Sequence, residues 1–321
     1  MADLVTPMAI RVAATLRIAD HIAAGLRTAS ELAQASNADT DTLDRLLRHL
    51  TTLGLLRRAA SGHYELTGLG EGLRDDHPVG MRAVLDMDGG VGRAEMAFVQ
   101  LLQSVRTGEA AFPVQFGRGF WDDLAEDVVR SAAYDAEMGA DVSAWAPAII
   151  KAYGWGSLGH VVDVGGGNGS LLIALLKAFP NLHGTVVDLP RTAPVARATV
   201  KAAGLADRVG VMAASFFDPL PPGHGGYLLT AIIHDWGDDD ARAILRRCAE
   251  AAGADGRVFV IEKIGVDGVT PNTEMDLRLL AYMGGRERDL EQLTALVESA
   301  GCRVAAVHPA GAIRILEITA R

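Results

Sequence analysis

Apolar positions in the opening of the chain recur at helical spacing: Val5, Met8, Val12 and Leu16 share a face that Ala9 and Ala13 widen. This stripe predicts a helical stretch over about 4–26, packed either into its own core or against a second chain. Thr28 and Glu31 form a capping-box pattern that starts a short helix reaching about Ala35. A second amphipathic helix runs from about Thr40 to Leu53, with Leu43, Leu46, Leu47 and Leu50 inward, and Gly54 ends it. Leu55 and Leu56, a turn at Ser61–Gly62, and Tyr64–Leu66 then read as a hairpin. Helix, helix and two-stranded wing is the layout of a winged helix.

From about Met81 to Trp155 the pattern is mostly helical, with breaks at Gly89–Gly90 and around Phe112–Pro113. Beyond Trp155, short apolar runs alternate with amphipathic helices. The runs are His160–Val164, Gly184–Val187, Val209–Met212, Tyr227–Ile233 and Arg257–Ile261; the helices are Leu171–Phe179, Ala193–Ala203 and Asp239–Ala252. That alternation predicts a parallel sheet with crossover helices. Arg303–His308 and Ile313–Thr319, joined by a turn at Pro309–Gly311, predict an antiparallel finish. No internal repeat or low-complexity tract interrupts the chain.

Composition narrows the classes. With 49% hydrophobic and 22% charged residues, 321 residues can bury a substantial core rather than remain disordered. The net charge of −10 opposes attraction to nucleic acid or anionic membranes. The wing is no exception: residues 1–80 hold 8 Arg/Lys against 10 Asp/Glu, and the would-be recognition helix carries Asp41 and Asp44 where phosphate needs a positive face. Scaffold or dimerisation is the expected role. Cys248 and Cys302 are far apart and lack metal-ligand spacing, so each reads as a buried reduced thiol in a cytoplasmic protein. Charges at Asp3, Arg11, Arg17 and Asp20 break the first apolar run against a signal peptide, and no stretch reaches the ~18 apolar residues of a membrane span.

The sharpest local signal follows the first strand of the alternating half. Val161–Val164 lead into glycines at 165, 167 and 169 and then a helix from Ser170. Glycines there let the backbone turn tightly and approach a ligand without Cβ interference, but dinucleotide-binding proteins use similar loops. Asp163, two residues before the loop, can pair with an ammonium group and would repel a pyrophosphate. Asp188, ending the next strand, can accept hydrogen bonds from ribose hydroxyls, which alone suits NAD equally. Together the two carboxylates favour S-adenosylmethionine; an ordinary turn with a solvated aspartate is the bland alternative. Phe216 or Phe217, after the third strand, stacks on adenine or packs in the core. His234 stands at the end of the fourth strand, followed by Asp235 and Trp236.

In order and approximate spacing, these stretches resemble the plant-type small-molecule O-methyltransferases and their bacterial relatives in polyketide tailoring. The matching segments are Asp163–Gly169, Asp188–Pro190, Phe216–Pro221, His234–Trp236, Glu262 and Gly284–Arg288, and the winged-helix-like start is similar to that family's dimerisation region, so the likeness covers nearly the whole chain. The resemblance implies an α/β class I methyltransferase fold, Rossmann-like with a mostly parallel sheet and an antiparallel C-terminal strand. A mainly helical, winged-helix-like dimerisation domain over 1–100 would precede a catalytic domain over 101–321, with helical linker to about 155. It implies methylation of a hydroxyl on a small aromatic substrate, a homodimer through the N-terminal helices, S-adenosylmethionine as cofactor with S-adenosylhomocysteine as product, and no metal. His234 would be the general base, flanked by Glu262 and Glu287. Asp163, Gly165, Gly167, Asp188, Leu189, Ser215, Phe216 and Thr230 would bind the cofactor. The family usually has an acidic residue at the position of Ser215 and often lysine at that of Thr230; serine can still accept the bond, without charge assistance.

With a phenol near pKa ~10 and an imidazole near ~6.5, unassisted proton transfer costs roughly 5 kcal/mol, which a neighbouring carboxylate reduces. Alignment of oxygen and methyl contributes ~7–11 kcal/mol more. Tyr134, Met138, Trp145, Asp235 and Met283, with Tyr282, are the expected substrate-pocket residues, between the helical region and the sheet's carboxyl edge, although each apolar one taken singly reads equally as core. Two other readings stay open: a relative that binds S-adenosylmethionine but hydroxylates or decarboxylates, and a winged-helix ligand-sensing regulator.

Overall fold

Seven strands of the C-terminal part hydrogen-bond into one sheet in the order β5-β4-β3-β6-β7-β9-β8. In this computed structural model, which describes residues 3–265 and 272–320, the strands are β3 His160–Val164, β4 His183–Asp188, β5 Val209–Ala213, β6 Gly226–Thr230, β7 Arg257–Glu262, β8 Cys302–Ala310 and β9 Ile313–Ala320. β3 to β7 pair in parallel, and only β9 runs against its neighbours. Continuous apolar runs explain the parallel part, because both faces are covered by helices. Val162, Val164, Leu229, Val258 and Val260 pack under the helices Asp238–Ala252 and Leu290–Ser299. Val161, Val186, Leu228, Phe259 and Ile261 pack under Ser170–Ala178, Ala193–Ala202 and the end of Val128–Ala152. Trp155 is fully buried there, its Nε1 donating to the Ile149 carbonyl at 2.8 Å.

Internal contacts divide the chain into two units, Met1–Met96 and Ala97–Arg321. In the first, the helices Ala29–Ala35 and Thr40–Thr52 are followed by the antiparallel pair β1 (Leu56–Arg58) and β2 (Tyr64–Leu66). Thr28 and Glu31 form the expected reciprocal cap. Leu32, Leu43, Leu47, Leu50 and Tyr64 are buried. The Tyr64 hydroxyl donates to Asp44 Oδ1 at 2.6 Å, tying the second helix to the wing. Arg48 pairs with Asp44 at 3.1 Å and Arg57 with Glu65, so these basic side chains face the protein's own carboxylates.

The structure corrects two boundaries. The opening stretch is not one helix but two, Val5–Thr15 and Ile18–Ala23, because Arg17 takes a left-handed φ of 53°. Ala9 and Ala13 face the core instead of Val5, which is 66% exposed. The strand expected over Tyr227–Ile233 stops at Thr230, since Ala231 at φ 53° turns the chain into a 3-10 turn, Ile233–Asp235. The segment 81–155 is a run of helices ending in Val128–Ala152; at Phe112–Pro113, where a break is expected, a helix begins. No helix among the described residues is long and apolar enough to cross a membrane.

At the sheet's amino edge His160, first in β3, bonds Thr185 Oγ1 through Nε2 at 3.0 Å and stacks on the His224 ring at 3.9 Å. Burial, then the charges of His224 and His183, push the His160 pKa down to about 4. The unfolded chain therefore binds this proton more readily, and the stability conferred by the neutral ring is complete above about pH 6.5 and lost as pH falls toward the folded value. Chemical denaturation at stepped pH should show that slope in the wild type and a flatter one in His160→Gln, which keeps a side-chain partner for Thr185.

Candidate active site at the carboxyl edge of the sheet

The strand order reverses between β3 and β6, and the crevice beyond their carboxyl ends is where open α/β sheets receive ligands. The glycine loop flanks one side. Gly165, Gly167 and Gly169 have φ of 69°, 58° and 79°, values that L side chains rarely adopt. A Cβ on Gly165 would lie 2.5 Å from Ile232 Cδ1, whereas one on Gly167 would meet only open space. Asp188 secures the loop, accepting the Gly167 N–H through Oδ2 and the Leu189 N–H through Oδ1, each at 2.7 Å. Asp163 is buried and its Oδ2 has no partner. Burial, reinforced by Asp188, raises its pKa to about 7, and burial raises that of Asp188 too. Two desolvated carboxyls beside open backbone form a receptor for a cationic group bearing hydroxyls, so the residues fit S-adenosylmethionine.

Three further cofactor candidates lie at this edge. Thr230 ends β6 with a buried, unpartnered Oγ1. Phe216 Cε1 would be 3.5 Å from a Cβ on Gly165, and its ring meets Trp236 edge-on at 5.6 Å. Ser215 Oγ accepts the Phe217 N–H at 3.2 Å, which occupies it in the turn. The helix Val128–Ala152 closes against the loop. A Cβ on Gly139 would strike Asn168 Nδ2 at 2.3 Å, and Asp135 Oδ2 accepts from Thr192 Oγ1 at 3.1 Å.

His234 lies across the crevice on the 3-10 turn. Its Nε2 is 3.5 Å from Asp235 Oδ1, its Nδ1 is 3.7 Å from Glu287 Oε1, and its backbone N–H donates to Glu262 Oε1 at 3.1 Å. Burial disfavours the charged ring, but Asp235, Glu287 and Glu262 outweigh it and lift the pKa to about 9. Burial also raises Asp235 to about 7 and Glu262 above the usual carboxylate range.

The motif Gly284–Arg288 brings Glu287 there by packing on the turn itself. A Cβ on Gly285 would sit 2.3 Å from the His234 carbonyl oxygen, so only glycine permits this approach. The Arg286 N–H donates to that carbonyl at 2.8 Å. Arg288, 4% exposed, donates to the Ile233 and Trp236 carbonyls at 3.0 and 2.9 Å and to Asp238 at 2.7 Å. No group of His, Cys, Asp and Glu suited to a metal occurs among the described residues.

Aromatic rings continue from this turn. Trp236 lies nearly parallel to Trp121, 6.4 Å between centroids; Trp121 and Phe120 meet Tyr134 edge-on at 6.0 and 5.4 Å; Phe120 stacks on Tyr282 at 6.1 Å. Burial and the Asp235 charge raise the Tyr134 phenol well above its usual value. Met138 is half-buried one turn beyond Tyr134, and Met283 is half-buried at the end of the helix Thr273–Met283. Trp145 is not brought into this group. It is eleven residues, about 16 Å, beyond Tyr134 along the helix, packed on the core with Lys263 Nζ 5.6 Å over its ring. Trp121, Phe120, Trp236, Gly285 and Arg288 escaped the reading of the sequence as site residues. Trp236 carried a signal in the His234–Trp236 segment, and Gly285 and Arg288 in the Gly-Gly-Arg-Glu-Arg run; Trp121 and Phe120 carried none.

Residues 98–303 match the O-methyltransferase domain family, and residues 1–74 match the O-methyltransferase dimerisation domain. The chain is 53% identical over 320 residues to 2,7-dihydroxy-5-methyl-1-naphthoate 7-O-methyltransferase of Streptomyces carzinostaticus, covering 100% of this chain and 96% of the relative. It is 42% identical to aclacinomycin 10-hydroxylase RdmB of Streptomyces purpurascens, covering 100% and 89%. An O-methyltransferase of neocarzinostatin biosynthesis, solved with S-adenosylmethionine and 2-hydroxy-5-methyl naphthoic acid, superposes with a TM-score of 0.93 at 53% identity, covering 100% and 97%.

Two substitutions test the coupling of turn and loop. Glu287→Gln should lower the His234 pKa from about 9 toward its ordinary value, visible in an NMR titration of ring-labelled protein. Gly285→Ala, which displaces the loop as a whole, should lower it at least as far; an unmoved titration in both would refute the coupling.

Proposed function

This chain belongs to the family of S-adenosylmethionine-dependent small-molecule O-methyltransferases, and on that premise we propose that it methylates a phenolic hydroxyl of a fused-ring aromatic acid of the hydroxynaphthoate kind. The observation that carries the reading is the buried His234 ring, set between Asp235 and Glu287 with Glu262 beneath it, beside a wall of aromatic side chains. The likeness to the naphthoate 7-O-methyltransferase supports the substrate class.

Asp163 would hold the amino-acid end of the cofactor and Asp188 its ribose hydroxyls, with Leu189, Gly165 and Gly167 shaping the cradle and Phe216 against the adenine. Thr230 and Ser215 offer further hydroxyls. When bound, S-adenosylmethionine supplies a methyl carbon already activated by its sulfonium, so the protein's task is to align the acceptor and take its proton. His234 takes that proton at Nε2 while Glu287 orients Nδ1. With the ring near pKa 9 rather than ~6.5, the mismatch with a phenol near ~10 is much smaller than the roughly 5 kcal/mol of an unassisted imidazole. Asp235, beside the same nitrogen, contacts the acceptor or a second hydroxyl on it. Tyr134, Met138 and Met283 complete the acceptor's apolar surroundings. The match of residues 1–74 to the dimerisation domain, with Leu4 and Val5 64% and 66% exposed, supports a homodimer through the N-terminal helices.

The relative named as a hydroxylase gives the second reading, in which the same scaffold adds oxygen instead. Incubation with S-adenosylmethionine and 1,4-dihydroxy-2-naphthoic acid, the ligand of one solved relative, separates the two by product mass. A gain of one methylene supports transfer; a gain of one oxygen overturns it. His234→Ala should cut turnover by roughly 10²-fold or more while S-adenosylhomocysteine binding persists. In the wild type kcat/KM should climb about tenfold per pH unit and level near pH 9, because only the neutral ring accepts a proton. A flat profile from pH 6 to 9 (roughly three units across the expected rise) would remove His234 from the role of base.

A further inference from the structure

Among the described residues, several of the buried side-chain polar atoms without a partner lie at the crevice. Asp163 Oδ2, Thr230 Oγ1 and Glu287 Oε2 belong to residues already placed there. A fourth, Trp121 Nε1, has no assigned role. An indole nitrogen is a donor only, so it cannot turn to find another role. Shielded from water and from any protein acceptor, its N–H incurs the penalty of a lost hydrogen bond. The ring itself is fixed, nearly parallel to Trp236 at 6.4 Å with an interplanar angle of 14°, and edge-on to Phe120 and Tyr134 at 5.0 and 6.0 Å. Trp236 follows His234 and Asp235 directly in the chain, and Tyr134 feels the Asp235 charge. The orphan donor therefore stands in the aromatic wall adjoining the proposed base.

We propose that Trp121 Nε1–H is the specificity-determining donor for the acceptor, hydrogen-bonding an anionic or carbonyl oxygen on the fused ring away from the hydroxyl being methylated. This rests on the methyl-transfer reading for its substrate class, but concerns binding alone. A carboxylate suits the position because a charge-assisted bond to a fixed donor in a dry site is strong. The ring would hold the acceptor by its faces and the N–H would fix its rotation, so that one hydroxyl rather than another points at His234.

The test pairs one substitution with one change in the ligand. Trp121→Phe keeps an aromatic ring and deletes the N–H. Calorimetry with S-adenosylhomocysteine present should show the Kd for 1,4-dihydroxy-2-naphthoic acid rising roughly tenfold in the variant. The Kd for 1,4-dihydroxynaphthalene, which lacks the carboxylate, should change less than about twofold. Unchanged affinity for S-adenosylhomocysteine shows that the variant is folded. As a check free of substitution, the Trp121 indole proton of wild-type protein should move downfield on binding the naphthoate and stay in place with the naphthalenediol. Equal weakening of both ligands would mean that Trp121 only fills space, and no weakening of either would mean that the N–H meets no ligand; each overturns the inference. If the naphthoate bond forms but no methyl is transferred, the functional reading fails while this one stands.

Discussion

The guanidinium of Arg288 is the interaction through which the two halves of the reactive site are joined. It lies buried between the carbonyls of Ile233 and Trp236 and the carboxylate of Asp238. Those carbonyls bracket the turn that carries His234 and Asp235, while Arg288 itself arrives on the loop that carries Glu287. A planar fork of donors holds its three acceptors in one fixed arrangement, which the rotating ammonium of a lysine does not pre-organise. The same cation offsets part of the negative charge that Asp235, Glu262 and Glu287 crowd around one imidazole. Without it, the alternative would be a buried carboxyl cluster relieving itself by taking up protons, and the ring would lose the partners that raise its basicity.

The β/α half was legible because parallel strands covered on both faces are written as short unbroken apolar runs. The glycine loop and its two aspartates were legible because few functions require positive φ and a desolvated carboxylate so close together. Residues that act through backbone were not. Arg17 and Ala231 adopt left-handed conformations with no glycine to announce them, so one helix was read too long and one strand overran into a turn. Trp121 and Phe120 sit in the helical linker without any motif, where an aromatic residue looks like core. Residue type alone points to Trp145, and helix length carries it away from the other rings. Gly285 shows the difference between seeing a motif and knowing its work: the close approach to the His234 carbonyl exists only in three dimensions.

Relatives of 53% and 42% identity carry names for different reactions on one scaffold. Fold and cofactor cradle therefore do not determine chemistry here; the groups around the acceptor do. In this chain the groups at the crevice comprise a basic imidazole, a carboxyl able to carry a proton near neutrality, and a cluster of aromatic rings.

Gly139 has a consequence beyond packing. The helix bearing it touches Asn168 of the glycine loop so closely that no side chain fits between, and a little over one turn earlier the same helix presents Tyr134 to the aromatic wall. One helix therefore braces both the glycine loop and the aromatic wall, so a larger residue at position 139 would disturb the support of both.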